Sequence, residues 1–397
     1  MAAETSPAPA RLLVVDDVEM NRDLLSRRLK QLGHEVEIAV NGREALEKIA
    51  AAEFDLVLLD IMMPEVDGYK VLETLRQDGT LDRLPVIMIS AVTEIDSVVR
   101  CVEMGATDYL PKPFNPVLLK ARVGATLEKK RLRDKERLWA KSMERELDIG
   151  REIQASFLPE ALPQPAGWEI AARFSPARQV AGDFYDAFSL RSGERIGIVI
   201  ADVCDKGVGA ALFMALFRSL IRAFAERSFA ETAGPDAAPI LSTIVATNDY
   251  IARTHGNANM FATLFFGALD PANGSLSWVN AGHESPALCG TSGGTGVVAR
   301  LMPTGPALGM MPGMRFETRQ SRIEPGQILL AFTDGVTEAK DVSGRLYSEE
   351  RLIELLAERT PTAGALLDRI DAAVTAHSVG AERSDDITML AVRRAGE

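Results

Sequence analysis

Cysteine and histidine are scarce in this chain of 397 residues, with three of the one and four of the other. Cys101, Cys204 and Cys289 are scattered, so neither a disulfide framework nor a zinc site is indicated. No histidines pair at ligand spacing. Any metal must therefore be held by oxygen. Long apolar runs are lacking too, and no charge-free stretch reaches the length a bilayer crossing needs. The opening "MAAETSPAPA" has neither a basic nor an apolar region, so no signal peptide is expected. A net charge of −12 argues against nucleic acid and anionic membrane as partners. These absences leave the cytoplasm as the expected location.

What remains is a composition of 47% hydrophobic and 25% charged residues, that of a globular protein, on a chain long enough for two or three domains. Residues 1–10 are expected to be a disordered terminus. Residues 11–125 alternate helical patterns with near-continuous apolar strands: "RLLVVDD", "DLVLLDIMMP", "LPVIMISA" and "DYLPKPF". That alternation predicts a doubly wound α/β domain, a parallel sheet covered on both faces. From about Pro116 the character changes, and a helical linker is expected over 126–160. Leu132, Trp139, Met143, Leu147, Ile153 and Phe157 recur there at spacings near three to four or their multiples. The pattern serves a single solvated helix or a short coiled coil joining two copies of the chain. Residues 161–397 place strands beside strands and helices beside helices, which predicts an α+β domain. Its "GTSGGTG" reads as a hairpin loop.

Acidic residues end several strands. Asp16, Asp17 and Asp60 follow apolar runs of the first domain, where open parallel sheets collect ligands. Three converging carboxylates call for a divalent cation, and oxygen ligation suits Mg²⁺. Ser90 and Lys112-Pro113 end two further strands, a hydroxyl and an ammonium suited to a phosphoryl group. In the last domain "QILLAFTDG" ends in Asp334, "IGIVIADV" in Asp202, "GDFYD" opens on Asp183, and "SDDITMLAV" opens on Asp385 and Asp386. Burying these together without cations is prohibitive. A pair of Mg²⁺ or Mn²⁺ ions fits, and paired hard ions suit phosphoester hydrolysis. The absence of a Cys-x5-Arg loop agrees with that chemistry.

The words "VVDD", "LLDIMMPEVDG", "MISA" and "YLPKPF" resemble the receiver domain of bacterial response regulators. The resemblance implies that Asp60 accepts phosphate from a sensor histidine kinase or phosphotransfer protein. It further implies that Asp16, Asp17, Asp60 and the Met62 carbonyl hold Mg²⁺, that Lys112 pairs with the phosphoryl group, and that Ser90 and Tyr109 switch. "GDFYD", "ADVCDKGVGAAL", "NAGH", "FTDGVTEA" and "DDIT", with the lead-in "REIQASFLPEALP", are similar to PPM-type (protein phosphatase 2C-like) serine/threonine phosphatases of the bacterial sporulation and stress-response branch. That implies a β-sandwich flanked by helices and two Mn²⁺ or Mg²⁺ ions held by Asp183, Asp202, the Val203 carbonyl, Asp334, Asp385 and Asp386. It also implies a phosphorylated STAS-type anti-sigma antagonist as substrate. His283 is read either as a general acid or as a structural hydrogen-bonder. The alternative to a hydrolase is a non-catalytic adaptor, which loss of these carboxylates would mark.

Overall fold

The computed structural model describes residues 9–90, 95–232, 234–290, 296–358 and 360–396. The expected disordered terminus lies outside them but for its last two residues, as does most of the glycine-rich loop. Contacts divide the chain after Met143 into two units.

In the first unit β1 (Arg11–Val15), α1 (Glu19–Gln31), β2 (Glu35–Ala39), α2 (Gly42–Ala51), β3 (Leu56–Asp60), α3 (Gly68–Gln77), β4 (Val86–Ser90), α4 (Ile95–Glu103) and β5 (Asp108–Pro111) alternate. The sheet order is β2-β1-β3-β4-β5, and every pairing is parallel. β3 and β4 are buried at every residue, which is why their sequences are unbroken apolar runs. Alternate side chains serve opposite faces: Val57 and Leu59 join one cluster, Leu56 and Leu58 the other. Helix starts carry the expected chemistry, as where the Asn41 side chain accepts the Glu44 N–H at 2.9 Å. Next comes α5 (Pro116–Phe157), 42 residues without a break through the expected boundary at 125–126. Leu119, Val123 and Leu127 on its first turns are buried in the sheet's core.

The second unit runs β6 (Trp168–Ser175), β7 (Phe184–Leu190), β8 (Arg195–Val203), α6 (Val208–Glu231), α7 (Ala237–Thr254), β9 (Ala262–Leu269), β10 (Ser275–Ala281), β11 (Ala287–Cys289), β12 (Val297–Arg300), β13 (Arg319–Arg322), β14 (Ile328–Phe332), α8 (Glu349–Leu356), α9 (Ala363–His377) and β15 (Ile387–Arg394). Two antiparallel sheets result, β13-β10-β9-β8-β7 and β12-β11-β14-β15-β6. Ile198, Ile200, Phe265, Leu329 and Leu390 fill the space between them. The opposite faces carry helices: Val199 and Ala201 of β8 meet α6 and α7, while Leu330 and Phe332 of β14 meet α8 and α9. The α+β expectation is thus realised as a sandwich between helical layers. β2, β11 and β12 were not foreseen; β11 and β12 have only three and four residues, too few for a period to declare itself.

α6 is apolar and long enough, by length and composition alone, to cross a membrane. Here Ala210, Met214, Phe217, Ile221, Ala225 and Phe229 form a buried stripe at helical spacing against the sheet, the pattern of a core helix. Its other buried contact is ionic. Arg218 reaches the enclosed Asp186 of β7 at 2.9 Å, with Arg222 at 3.5 Å. Removing one partner of such a pair strands the other's charge. Asp186→Ala is expected to cost about 3–5 kcal/mol of stability in urea unfolding, and a loss under 1 kcal/mol would show the pair to be dispensable.

Candidate metal centres

At the carboxyl end of the first sheet, Asp16, Asp17 and Asp60 each offer an oxygen within 4.8 Å of the others. Asp16 and Asp60 are buried and Asp17 is exposed. Lys112 supplies the counter-charge: its Nζ lies 2.8 Å from Asp16 and 2.9 Å from Asp60. Burial pushes the Asp60 carboxyl up against that ammonium's pull, so the group is held between two tendencies. The Lys112-Pro113 peptide bond is cis, and the Lys112 N–H donates to the Ser90 carbonyl at 2.8 Å, fixing the base beside the acids. Asp16 is oriented by the Val18 N–H and the Asn21 side-chain amide. Met62 is exposed just beyond β3. Tyr109 is half-buried with Arg122 over its ring at 5.6 Å. The structure therefore brings Asp16, Asp17, Asp60 and Lys112 together, and places Ser90 and Tyr109 on adjacent strands.

The second group is wider, and among the described residues no trio of it falls within the same 4.8 Å. Asp183 precedes β7, Asp202 is the penultimate residue of β8, Asp334 follows β14, and Asp385 precedes β15. Two glycines permit their approach. A Cβ on Gly335 would stand 1.9 Å from the Asp386 carbonyl, so the mouths of β14 and β15 meet only because that atom is absent. A Cβ on Gly182 would stand 2.8 Å from the Val203 carbonyl, which presses the Asp183 turn against the end of β8. Asp183 is enclosed, and one of its oxygens accepts both the Thr333 and the Thr388 hydroxyls at 2.7 Å. Its other neighbour is Asp202, at hydrogen-bonding range.

Crowding shows in the electrostatics. Burial, then the charge of Asp334, lifts Asp202 to about 7. Burial, then the charge of Asp385, lifts Asp334 to about 6. Asp183 is raised well above the usual carboxylate range, by burial first and Asp202 second. Carboxylates that raise one another's pKa, with no nitrogen or sulfur ligand among them, are a donor set suited to hard divalent cations. Asp386, expected as a ligand, also has a structural part: one oxygen accepts the Ala177 N–H at 2.7 Å and the other the Gly182 N–H at 2.9 Å. It holds the Asp183 loop.

Four further residues escaped the sequence reading. Thr333 and Thr388 flank acidic motifs but gave no signal of their own. Gln154 on α5 is buried, its amide donating to the Ala181 carbonyl at 2.7 Å and accepting the Ala181 N–H at 2.9 Å. Lys206 lies 2.7 Å from Asp385 and 2.6 Å from the Ser384 carbonyl. Both charges of that pair are partly exposed, so it contributes at most about 1 kcal/mol. His283 is enclosed, its Nδ1 is 2.9 Å from the Thr263 hydroxyl, and burial pushes it down to about 3. In that position the ring serves as the hydrogen-bonding partner of Thr263. Cys204 accepts the Phe261 N–H at 3.2 Å, and burial raises its thiol.

Comparison with known proteins places both units in known families or folds. The family model for stage II sporulation protein E (SpoIIE) matches residues 192–395, just over half of the chain, and a response regulator receiver domain matches residues 12–124. Asp183 lies ahead of the first span; Asp202, Asp334 and Asp385 lie within it. Protein IcfG of Synechocystis sp. is 44% identical over 266 residues, which cover 63% of this chain and 41% of that protein. Response regulator MprA of Mycolicibacterium vanbaalenii is 45% identical over 121 residues, 30% of this chain and 52% of its own length. The chain thus spans about two fifths to a half of these curated relatives. The solved SiaA-PP2C domain of Pseudomonas aeruginosa shares the fold, with a TM-score of 0.51 at 24% identity over 64% of this chain and 98% of that domain.

Raised carboxyls favour the folded state only while protonated. Their contribution is present below the unfolded value of about 4 and is lost as pH climbs through the folded values of about 6 and about 7. Chelator-treated protein should therefore melt at a lower temperature near pH 8 than near pH 5, and Asp202→Asn should flatten that slope. Mn²⁺ should raise the melting temperature more at the higher pH. Equal protection at both would contradict a carboxylate-held ion.

Proposed function

This chain belongs to the SpoIIE family and carries a response regulator receiver domain ahead of the family region, and from that premise we propose a two-component regulator whose output is a metal-dependent phosphoserine/phosphothreonine protein phosphatase. The observation that carries the reading is the gathering of Asp183, Asp202, Asp334 and Asp385 from four strand ends into one electrostatic field. In this proposal those carboxylates and the Val203 carbonyl hold two Mg²⁺ or Mn²⁺ ions. Such ions, when bound, would supply a water of lowered pKa as the source of hydroxide near neutral pH. The chain's own part is placement. Thr333 and Thr388 fix Asp183, Asp386 fixes the loop before it, and the glycine contact holds Asp334 beside Asp385.

In the same reading Asp60 accepts phosphate from a histidine kinase or phosphotransfer protein, with Mg²⁺ on Asp16, Asp17, Asp60 and the Met62 carbonyl. Lys112 binds the phosphoryl oxygens, and Ser90 with Tyr109 changes the surface beyond β4 and β5. α5 supports a second role. Leu132, Trp139, Met143 and Ile153 are exposed along it, an apolar stripe that a second copy of the helix would cover. Pairing there would shift the helix and move Gln154, which grips the loop leading to Asp183. The favoured substrate is a phosphorylated STAS-type anti-sigma antagonist, met in the cytoplasm.

Phosphate release from a phosphoserine protein with Mn²⁺ tests the chemistry. Asp202→Asn should lower it about 100-fold or more, the scale of losing one electrostatic stabiliser. A variant as fast as the wild type would leave the adaptor reading. Gln154→Ala strands a buried N–H and carbonyl at about 1–3 kcal/mol each and should depress activity without touching Asp60 phosphorylation. If Asp60→Ala changed neither activity nor oligomeric state with and without a phosphodonor, the coupling would be wrong.

A further inference from the structure

Charge counting at the second centre leaves a deficit. Two divalent cations bring four positive charges and the carboxylates of Asp183, Asp202, Asp334 and Asp385 bring four negative. The sum is zero. A phosphomonoester arrives with a charge near −1.5 to −2, and the attacking hydroxide adds another negative charge. Some base of the chain must receive that charge. Among the described residues, Lys206 alone forms an ion pair with any of the four carboxylates.

Its position is built. Lys206 stands in the turn between β8, which carries Asp202, and α6. Asp205, just before it, holds φ at 72°, in the left-handed region that side chains avoid, and accepts the Lys206 N–H at 2.8 Å. The turn sends the lysine across to the mouth of β15, where the ammonium donates to the Ser384 carbonyl and to Asp385. An ammonium has three donors, so one remains for another acceptor. The pair is not sealed: the Lys206 side chain is 42% exposed and Asp385 33%. Such a contact is readily exchanged.

We infer that Lys206 is the exchangeable counter-charge of this centre. It holds Asp385 when no cation is bound, yields that oxygen to the incoming ion, and then receives the phosphoryl oxygens of the substrate. This rests on the phosphatase reading and adds to it the group that binds the substrate's charge.

The full-length protein tests this with Lys206→Met and Lys206→Arg, which replace a half-exposed side chain and should leave the melting temperature nearly unchanged. Calorimetric titration with Mn²⁺ alone should show Lys206→Met binding about threefold to fivefold more tightly, the worth of the exposed pair it no longer displaces. Inorganic phosphate titrated into Mn²⁺-saturated protein should bind Lys206→Met about tenfold more weakly, the loss of one charge-assisted hydrogen bond. With p-nitrophenyl phosphate, KM should rise similarly while kcat changes less. Lys206→Arg should recover most of the phosphate affinity. Unchanged or weaker Mn²⁺ binding by Lys206→Met, or unchanged phosphate binding, overturns the inference. If wild-type protein neither binds Mn²⁺ nor cleaves the ester, the phosphatase reading itself falls; if it does both and Lys206→Met matches it, only the role of Lys206 falls.

Discussion

Repulsion between carboxylates is the constraint around which the larger unit is arranged. Four acids from distant parts of the sequence stand together; burial and then the neighbouring charges raise the pKa of Asp183, Asp202 and Asp334, and nothing about the acids themselves favours that meeting. The opposing force is the apolar filling between and outside the two sheets, which fixes where each strand ends. Side-chain volume completes the arrangement at one spot. The mouths of β14 and β15 touch through the missing Cβ of Gly335, so Asp334 and Asp385 cannot separate without parting two ladder-bonded strands.

The smaller unit meets the same difficulty with a fixed remedy. Lys112 lies between Asp16 and Asp60 at hydrogen-bond distance from both, on a backbone tied to β4. Its acids are partly neutralised before any ion arrives. The larger unit has Lys206 only at its open edge, on Asp385, and its enclosed Asp183 relies on hydroxyls instead. One centre is balanced by an ammonium set between its acids, the other by an ammonium at its rim alone, its inner acids being left to protons or to ions from solution.

Much of this was legible in the residues. Apolar runs ending in aspartate announced both the strands and the acids at their mouths, because a strand buried on both faces leaves a clear run and its end is where polar groups resume. The long helix was visible in its spacing. Less could be read where the cause is tertiary. Asp386 has the charge of a ligand, and only the fold shows that both oxygens are engaged by amides of a loop some two hundred residues away. Thr333 and Thr388 are ordinary strand residues by composition, and their shared acceptor belongs to a third segment. That the first turns of the helix also serve the sheet's core is likewise a tertiary fact.

The grip of Gln154 on Ala181 has a further consequence. A carboxamide facing one peptide's carbonyl and amide reproduces, with a side chain, a pair of backbone bonds. Neither partner carries a formal charge, so screening by dissolved salt and protonation across the ordinary range leave it alone. What undoes it is displacement: sliding the helix by one residue, about 1.5 Å along its axis and 100° about it, leaves both bonds unmade. The joint between helix and loop is therefore a mechanical one, answering to position and deaf to ionic conditions.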